Sequence, residues 1–291
     1  MVIQIGVTFP QTELGMDPAI IRDYVQAVEA LQYDYLLAYE HVLGANSENS
    51  LLARVPYTHK SMFHEPFTLF GYLAGLTQRI ILVTGVIILP QRQTVLVAKQ
   101  AAEIDVLSNG RLVLGIGLGW NPIEYVAMNE DFHTRGKRIE EQVDVMRKLW
   151  TNQLVTFRGE WHQIEDAGIN PLPIQRPIPV WMGGGHDKVL QRIGRIGDGW
   201  ISNQRPDVQG LEQAKKLRAY TRAAGRNEED VGISGSISAG LPEEQLIAQF
   251  LAWKSLGATH VSLNTMGIGL EDAAGHIRAV ERFRETVTNL L

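Results

Sequence analysis

Residues 79–125 read RIILVTGVIILPQRQTVLVAKQAAEIDVLSNGRLVLGIGLGWNPIEY and decide the class of fold. An apolar, β-branched segment from Ile80 to Leu89 is interrupted once, by Gly85, and predicts a strand that is buried on both faces. A helix is predicted from about Thr94 to Leu107, because Ser108-Asn109-Gly110 supplies a C-terminal cap signal. Leu112 to Gly117 is a second apolar run that ends in glycines. The stretch is a strand–helix–strand unit, and parallel α/β folds bind ligands where such strands end.

Six further strand-like segments extend this pattern along the chain. Apolar strand-like runs start near residues 3, 35, 81, 112, 179, 200, 231 and 260, and nearly all are followed by a helical pattern. Eight strands with helices between them fit a (β/α)8 TIM barrel of ~250 residues plus insertions. A doubly wound sheet normally has fewer strands and would leave several of these unplaced. Since composition does not change along the chain, we expect residues 1–291 to form a single α/β barrel domain.

The composition argues against several classes of protein. The 291 residues carry a net charge of -5 with scattered basic side chains, which argues against a nucleic-acid partner. Cysteine is absent, so disulfides, thiolate metal sites and a cysteine nucleophile are excluded. Neither a metal-ligand spacing nor a Gly-x-Ser-x-Gly elbow appears. The sequence shows no signal peptide and no apolar run near the ~20 residues of a membrane helix, so we expect a cytoplasmic protein without a metal.

Two glycine clusters follow predicted strands. Gly115-x-Gly117-x-Gly119 resembles a dinucleotide-binding fingerprint, but the third glycine of that fingerprint would stand at Trp120, so the motif fails. Two interpretations remain for these glycines: a tight strand end, or a close approach of a flat ligand to the backbone. Gly183-Gly184-Gly185 precedes a helix that begins near Asp187. Free N–H groups at a helix start favour an anion such as phosphate, and a plain strand–helix turn is the alternative.

A histidine beside a carboxylate is the first candidate for chemistry. Glu40 and His41 follow the second strand directly, where barrels carry catalytic groups. An imidazole titrates near neutrality and passes a proton either way, and a neighbouring carboxylate can orient or charge it. A solvated loop histidine is the alternative, and the other histidines show no ligand spacing with one another. The segment from Leu43 to Phe63 lacks periodicity and predicts a functional loop or lid.

Three segments resemble the bacterial luciferase-like oxidoreductases. They are VIILPQRQTVLVAKQAAEIDVLSNGRLVLGIGLGW at 86–120, TRGKRIEEQVDVMRKLW at 134–150 and PVWMGGGHDKVLQRIGRIGDGWI at 179–201. The resemblance covers nearly the whole chain in order. Glu40-His41 and Gly119-Trp120 are similar to the branch that uses the deazaflavin coenzyme F420. Other branches use FMN, with reduced flavin and oxygen in a monooxygenase reaction.

The resemblance implies an enzyme that passes hydride between F420 and a small organic substrate, with an FMN-dependent monooxygenase as the alternative. It places His41 near the reactive face of the cofactor ring, with Glu40 tuning it. It also implies a set of cofactor-binding residues: Thr84, Gly85 and Val86 under the ring with a non-prolyl cis peptide bond at Gly85–Val86, Gly117 and Trp120 as a wall, and Gly183, Gly184, Gly185 and Asn203 on the phosphate side.

One departure from the family pattern concerns Trp120, which stands where a sugar-phosphate dehydrogenase of the family has a catalytic glutamate. That enzyme's substrate and acid–base scheme are therefore not carried over. A homodimer formed through outer helices is expected from the resemblance alone.

Overall fold

The computed structural model describes residues 3–46, 57–288 and 290. The strands of this part of the chain are β1 (Gln4–Thr8), β2 (Tyr35–Ala38), β3 (Ile81–Thr84), β4 (Ile87–Ile88), β5 (Leu112–Gly117), β6 (Val155–Arg158), β7 (Gln163–Ala167), β8 (Val180–Gly183), β9 (Gly199–Ile201), β10 (Gly232–Ser238) and β11 (His260–Asn264).

Eight of these described strands form a closed parallel barrel. Its order is β1, β2, β3, β5, β8, β9, β10 and β11, and β11 returns to pair with β1. The two-residue β4 continues β3 and pairs with β5. The predicted (β/α)8 barrel is confirmed.

Helices pack around the barrel, among them the short helix Pro122–Ala127, which the sequence did not predict. They are α1 (Pro18–Ala30), α2 (Pro66–Ala74), α3 (Thr94–Leu107), α4 (Pro122–Ala127), α5 (Arg135–Thr151), α6 (Asp187–Ile196), α7 (Val208–Ala223), α8 (Glu243–Leu256) and α9 (Ala273–Thr288), with short 3₁₀ turns at Leu89–Gln91 and Glu228–Asp230. Asp17 is the N-cap of α1, and its side chain accepts a hydrogen bond from the Ala19 N–H. The predicted cap after α3 is confirmed, with Asn109 and Gly110 both at positive φ.

The close approach of β3 to β5 explains a glycine in the middle of a strand. A Cβ on Gly115 would lie 1.7 Å from the Thr84 carbonyl oxygen, so no larger residue fits. The Thr84 hydroxyl group donates to the Gly115 carbonyl oxygen at 2.7 Å. Between β3 and β4 the Gly85–Val86 peptide bond is cis, as the resemblance implied.

The segment from Gln153 to Pro179, which connects α5 to β8, contains an antiparallel hairpin. Strands β6 and β7 pair with Phe157 opposite Ile164. This hairpin lies outside the barrel sheet.

Aromatic side chains fill the barrel near the amino ends of its strands. The His260 ring packs edge-on against Trp181 at 4.6 Å and against Tyr35 at 5.4 Å, measured between ring centroids. Burial lowers the pKa of His260 to about 4, so this imidazole is neutral at physiological pH. A barrel filled at this level leaves its free space at the carboxyl ends of the strands.

Part of the predicted lid lies outside the described residues. Of the segment from Leu43 to Phe63, residues 47–56 are among those that the structure does not describe. Within residues 3–46 and 57–288, no helix combines the length and apolar character that crossing a membrane requires. In the same ranges, His, Asp and Glu side chains form no group of three or more that could hold a metal ion.

Candidate active site

A cavity of about 690 Å³ opens at the carboxyl ends of the barrel strands. All but one of the residues that the sequence predicted for the site line this cavity: Glu40, His41, Gly85, Val86, Gly117, Trp120, Gly183, Gly184, Gly185 and Asn203. Thr84 is the exception, because its side chain is fully buried and bonded to β5. The structure therefore gathers residues from five separate parts of the chain around one space.

One wall of the cavity consists of glycine backbone packed against Val86. A Cβ on Gly117 would lie 2.4 Å from the Val86 Cγ2 atom, and a Cβ on Gly183 would lie 2.9 Å from its Cγ1 atom. Gly85 has no room for a side chain either, since a Cβ there would lie 2.2 Å from Leu37 Cδ2. Glycines let a backbone approach a ligand closely. This wall suits the flat ring of a flavin or deazaflavin.

The loop from Gly183 to Gly185 faces a cluster of amide side chains. Gly184 has a φ of +116°, a conformation that glycine adopts readily. A Cβ on Gly185 would lie within 3.1 Å of Asn203 Oδ1, Gln204 Nε2 and Gln213 Oε1. The Gln213 Oε1 atom is buried without a hydrogen-bond partner among the described residues. Because amide oxygen and nitrogen are assigned from their surroundings, the reversed Gln213 amide would present a donor instead.

The same end of the cavity carries a cation and a helix N-terminus. The exposed Arg205 lines the cavity and makes no ion pair with the residues that the structure describes. Helix α6 begins just after the loop, capped by the His186 ring, which accepts a hydrogen bond from the Lys188 N–H at 3.3 Å. Backbone N–H groups, amides and an unpaired guanidinium together fit a phosphate group. The phosphate-bearing side chain of FMN or F420 therefore fits this end, here named the glycine-loop end.

His41 has a buried carboxylate partner that the sequence did not indicate. The His41 Nδ1 atom lies 3.1 Å from Glu124 Oε1, and the Glu124 side chain is almost fully buried. Glu124 also accepts from the Leu43 N–H at 3.4 Å and the Gln91 amide at 3.5 Å. With Glu124 ionised, Nδ1 carries the proton and Nε2 is the nitrogen left for a ligand. Nε2 forms no hydrogen bond with the described residues.

Glu40 is placed differently from the expectation that it tunes His41. Its Oε2 atom accepts from the Ile88 N–H at 2.5 Å, and its Oε1 atom accepts from the Arg92 guanidinium. Arg92 also donates to Glu65 at 2.9 Å. Burial raises the pKa of the Glu40 carboxyl group, while Arg92 and the Ile88 N–H oppose that rise. Glu40 thus fixes the backbone just after the cis bond, and Glu124 is the carboxylate that holds His41.

Aromatic rings surround His41 on its remaining sides. The centroid of the His41 ring lies 5.2 Å from that of Tyr57, 4.8 Å from Phe63 and 5.7 Å from Trp120. Trp120 is 43% exposed and lines the cavity. We name these three rings with His41 the aromatic compartment; it is the end of the cavity at which a substrate can meet the imidazole.

Sequence reasoning missed Glu124, Arg92 and Gln213. The local signal around Glu124 indicates a different role, because Asn121-Pro122 begins α4 and an acid in the first turn is an ordinary helix-start residue. Glu124 meets His41 across 83 residues of chain, and only closure of the barrel brings them together.

Comparison with known proteins identifies the family. The model of the luciferase-like monooxygenase family matches residues 2–288. An uncharacterised protein of Mycobacterium tuberculosis is 32% identical over 222 residues, 73% of each chain. The F420-dependent glucose-6-phosphate dehydrogenase of Mycolicibacterium fortuitum is 35% identical over 60% of this chain and 54% of its own. The pyrimidine monooxygenase RutA of Allorhizobium ampelinum is 30% identical over 75% of this chain and 57% of its own.

Solved structures agree on the fold. An F420-dependent secondary alcohol dehydrogenase, solved with an F420–acetone adduct, superposes with a TM-score of 0.81 at 17% identity and covers 99% of both chains. Relatives that depend on F420 and relatives that act as monooxygenases share one barrel. The chain belongs to the luciferase-like monooxygenase family of oxidoreductases.

Proposed function

We propose that this protein is an F420-dependent oxidoreductase acting on a small organic molecule. The observation that carries the proposal is the His41 imidazole, held by buried Glu124, with its Nε2 atom unbonded to the described residues. It lies in the same cavity as a glycine wall and an anion-binding end. Bound F420 supplies a carbon that accepts or donates hydride, and the protein supplies position and proton transfer.

The glycine-loop end holds the phosphate in this proposal. Backbone N–H groups from Gly183 to Gly185 and the unpaired Arg205 face the anion, and Asn203, Gln204 and Gln213 surround it with amides. The wall formed by Val86, Gly117 and Gly183 supports the ring. Since Gly183 to Gly185 connect this wall directly to the phosphate end, one ligand can occupy both.

His41 handles the proton at the substrate. Its Nε2 atom takes a proton from a hydroxyl group as the substrate is oxidised, or returns one as a carbonyl group is reduced. Glu124 keeps the Nδ1 proton in place and stabilises the imidazolium form. The surrounding rings keep water away from this exchange.

A flavin monooxygenase is the second candidate, favoured by the match to the pyrimidine monooxygenase over 75% of the chain. FMN also carries a ring and a phosphate, so the same wall and loop suit it. Three expectations from the sequence remain predictions: one domain over residues 1–291, a homodimer and a cytoplasmic location.

Titration of the purified protein with F420 and with FMN, followed by fluorescence, tests the proposal. We expect F420 to bind with a dissociation constant at least about tenfold below that of FMN, a difference of ~1.4 kcal/mol. Gly185→Ala is expected to weaken binding about tenfold, since its methyl group displaces the amides around the phosphate.

Gly71→Ala is the matched control, because a Cβ at this helical position meets no atom within 4 Å. Circular dichroism establishes that both variants fold. Tight binding of FMN alone would replace the proposal with the monooxygenase, and binding of neither would indicate a non-catalytic protein.

A further inference from the structure

The charges around the aromatic compartment restrict what can bind there. The buried carboxyl group of Glu124 lies 3.1 Å from His41 Nδ1, and the carboxyl group of Glu40, the residue before His41, is also buried. The nearby guanidinium group of Arg92 is already paired with Glu40 and Glu65. The unpaired cation among the described lining residues, Arg205, follows Asn203 and Gln204 in sequence and therefore belongs to the glycine-loop end.

An anionic substrate group in this compartment would lie beside Glu124, and no lysine or arginine of residues 3–46 or 57–288 lines this end of the cavity to pair with it. Like charges in a poorly solvated space repel strongly, so a carboxylate or phosphate is disfavoured there. A cation is disfavoured too, because Glu124 already accepts from His41. A bound cation and the His41 ring would then compete for the Glu124 carboxylate.

The rings favour an uncharged ligand with apolar surface. Tyr57, Phe63 and Trp120 contact His41 in tilted or edge-on geometry, and Trp120 keeps part of its ring free on the cavity side. Apolar ligand surface buried against such rings is removed from water, which favours binding. His41 Nε2 lies among these rings and has no hydrogen-bond partner among the described residues.

We propose, on the basis of the proposed function, that the substrate is an uncharged, largely apolar alcohol or carbonyl compound whose oxygen reaches His41 Nε2. The substrate carries no anionic group in this proposal, and the phosphate of the cofactor occupies the glycine-loop end. The protein thus differs in substrate class from its sugar-phosphate-oxidising relative, although the two share a family.

Three ligands with the same ring test this: benzyl alcohol, benzoate and benzylamine, which are neutral, anionic and cationic at pH 7.5. Each is titrated by calorimetry into protein saturated with F420, or with FMN if only that binds. We expect benzyl alcohol to bind and the two ions to bind at least about tenfold more weakly. Trp120→Ala is expected to weaken benzyl alcohol binding by about fivefold, through loss of ring contact.

Trp161→Ala is the matched control, since this tryptophan lies on the hairpin and does not line the cavity. Glu124→Gln is expected to narrow the gap between benzoate and benzyl alcohol by removing the repelling charge. Tighter binding of benzoate or benzylamine, or equal effects of Trp120→Ala and Trp161→Ala, would overturn the proposed substrate class.

The cofactor titration distinguishes failure of this inference from failure of the proposed function. If F420 binds and benzoate or benzylamine binds more tightly than benzyl alcohol, only the proposed substrate class is wrong. If neither cofactor binds, the ligands are titrated into the free protein, with Arg205→Gln reporting an anion at the glycine-loop end. Benzyl alcohol binding that depends on Trp120 would then still support an apolar compartment.

Discussion

Two histidine–glutamate pairs in this barrel have nearly the same local geometry and different surroundings. His41 lies 3.1 Å from Glu124, and His162 lies 2.8 Å from Glu141. All four side chains are at least four-fifths buried. A search for histidines beside carboxylates would rank the two pairs together.

The difference lies in the second nitrogen of each ring. The Nε2 atom of His162 is bonded to Thr94 Oγ1 at 2.6 Å. Glu141 accepts three backbone N–H groups, from Glu160, Trp161 and His162 itself. Every polar group of this pair is used to fasten the β6–β7 hairpin to α5 and α3. The Nε2 atom of His41 instead remains available at the cavity, so availability, rather than the pair itself, marks the reactive site.

His276 is a third histidine beside a glutamate, and it lies away from the cavity. Its ring is fully buried, with Nδ1 bonded to Thr265 Oγ1 at 2.7 Å and Nε2 lying 3.2 Å from Glu13 Oε2. Burial lowers the pKa of His276, although the Glu13 carboxylate opposes this. The Nδ1 bond and the nearby Glu13 carboxylate hold this ring between the loops after β1 and β11, and His276 does not line the cavity, which is the arrangement of a structural histidine.

The largest expected effect is the difference in kcat between variants of His41 and variants of His162. His41→Ala should lower kcat by about 10²- to 10⁴-fold, the range for loss of a general acid–base group. His162→Ala should leave kcat within about threefold, because that ring serves only the hairpin. Steady-state turnover with the bound cofactor measures both.

The two substitutions should affect the free energy of unfolding in the opposite order. His162→Ala leaves Thr94 and Glu141 short of a partner and should cost about 1–3 kcal/mol of unfolding free energy. Chemical denaturation measures this cost, and His41→Ala should lose less. A His162→Ala variant that is stable but inactive would contradict the assignment of His162 as a structural histidine.

Glu124→Gln should have an intermediate effect. Loss of the charge that holds His41 should lower kcat by about 10- to 100-fold, as for other groups that orient a functional histidine. KM and the cofactor dissociation constant should stay within about twofold, because the ring wall and phosphate end are unchanged. Glu141→Gln is the same substitution in the other pair and should leave kcat unaltered. An equal fall in kcat for both variants would mean that Glu124 acts only through stability.

The fold was predictable because its signals are local. Strand starts, the Asp17 cap and the Asn109-Gly110 turn each depend on residues within one or two turns of chain. The glycines were found for the same reason, since a strand ending in glycines marks a close approach wherever it occurs. None of these predictions depends on knowing which distant side chain a residue contacts.

The pairing of side chains was not predictable, because closure of the barrel decides it. Glu40 stands next to His41 in sequence, yet successive residues of an extended chain point apart, and Glu40 bonds to Arg92 while His41 bonds to Glu124. His162 meets Thr94 across 68 residues. A sequence shows that a histidine can react, and the fold determines whether it has a free nitrogen with which to do so.

The smallest expected effect concerns the pH dependence of the structural pair. Burial alone would raise the pKa of Glu141, but the bonds from His162 and three backbone N–H groups together lower it below the usual 4.5. A carboxyl group with a lowered folded-state pKa stabilises the protein above its unfolded value, and this stability is lost as the pH falls through the folded value. The stability advantage of the native protein over Glu141→Gln should therefore be full at pH 6, on the order of 1–2 kcal/mol, and shrink below about pH 4.5. Denaturation curves at several pH values measure it, and an advantage that grew on acidification would show that Glu141 is not held as a carboxylate.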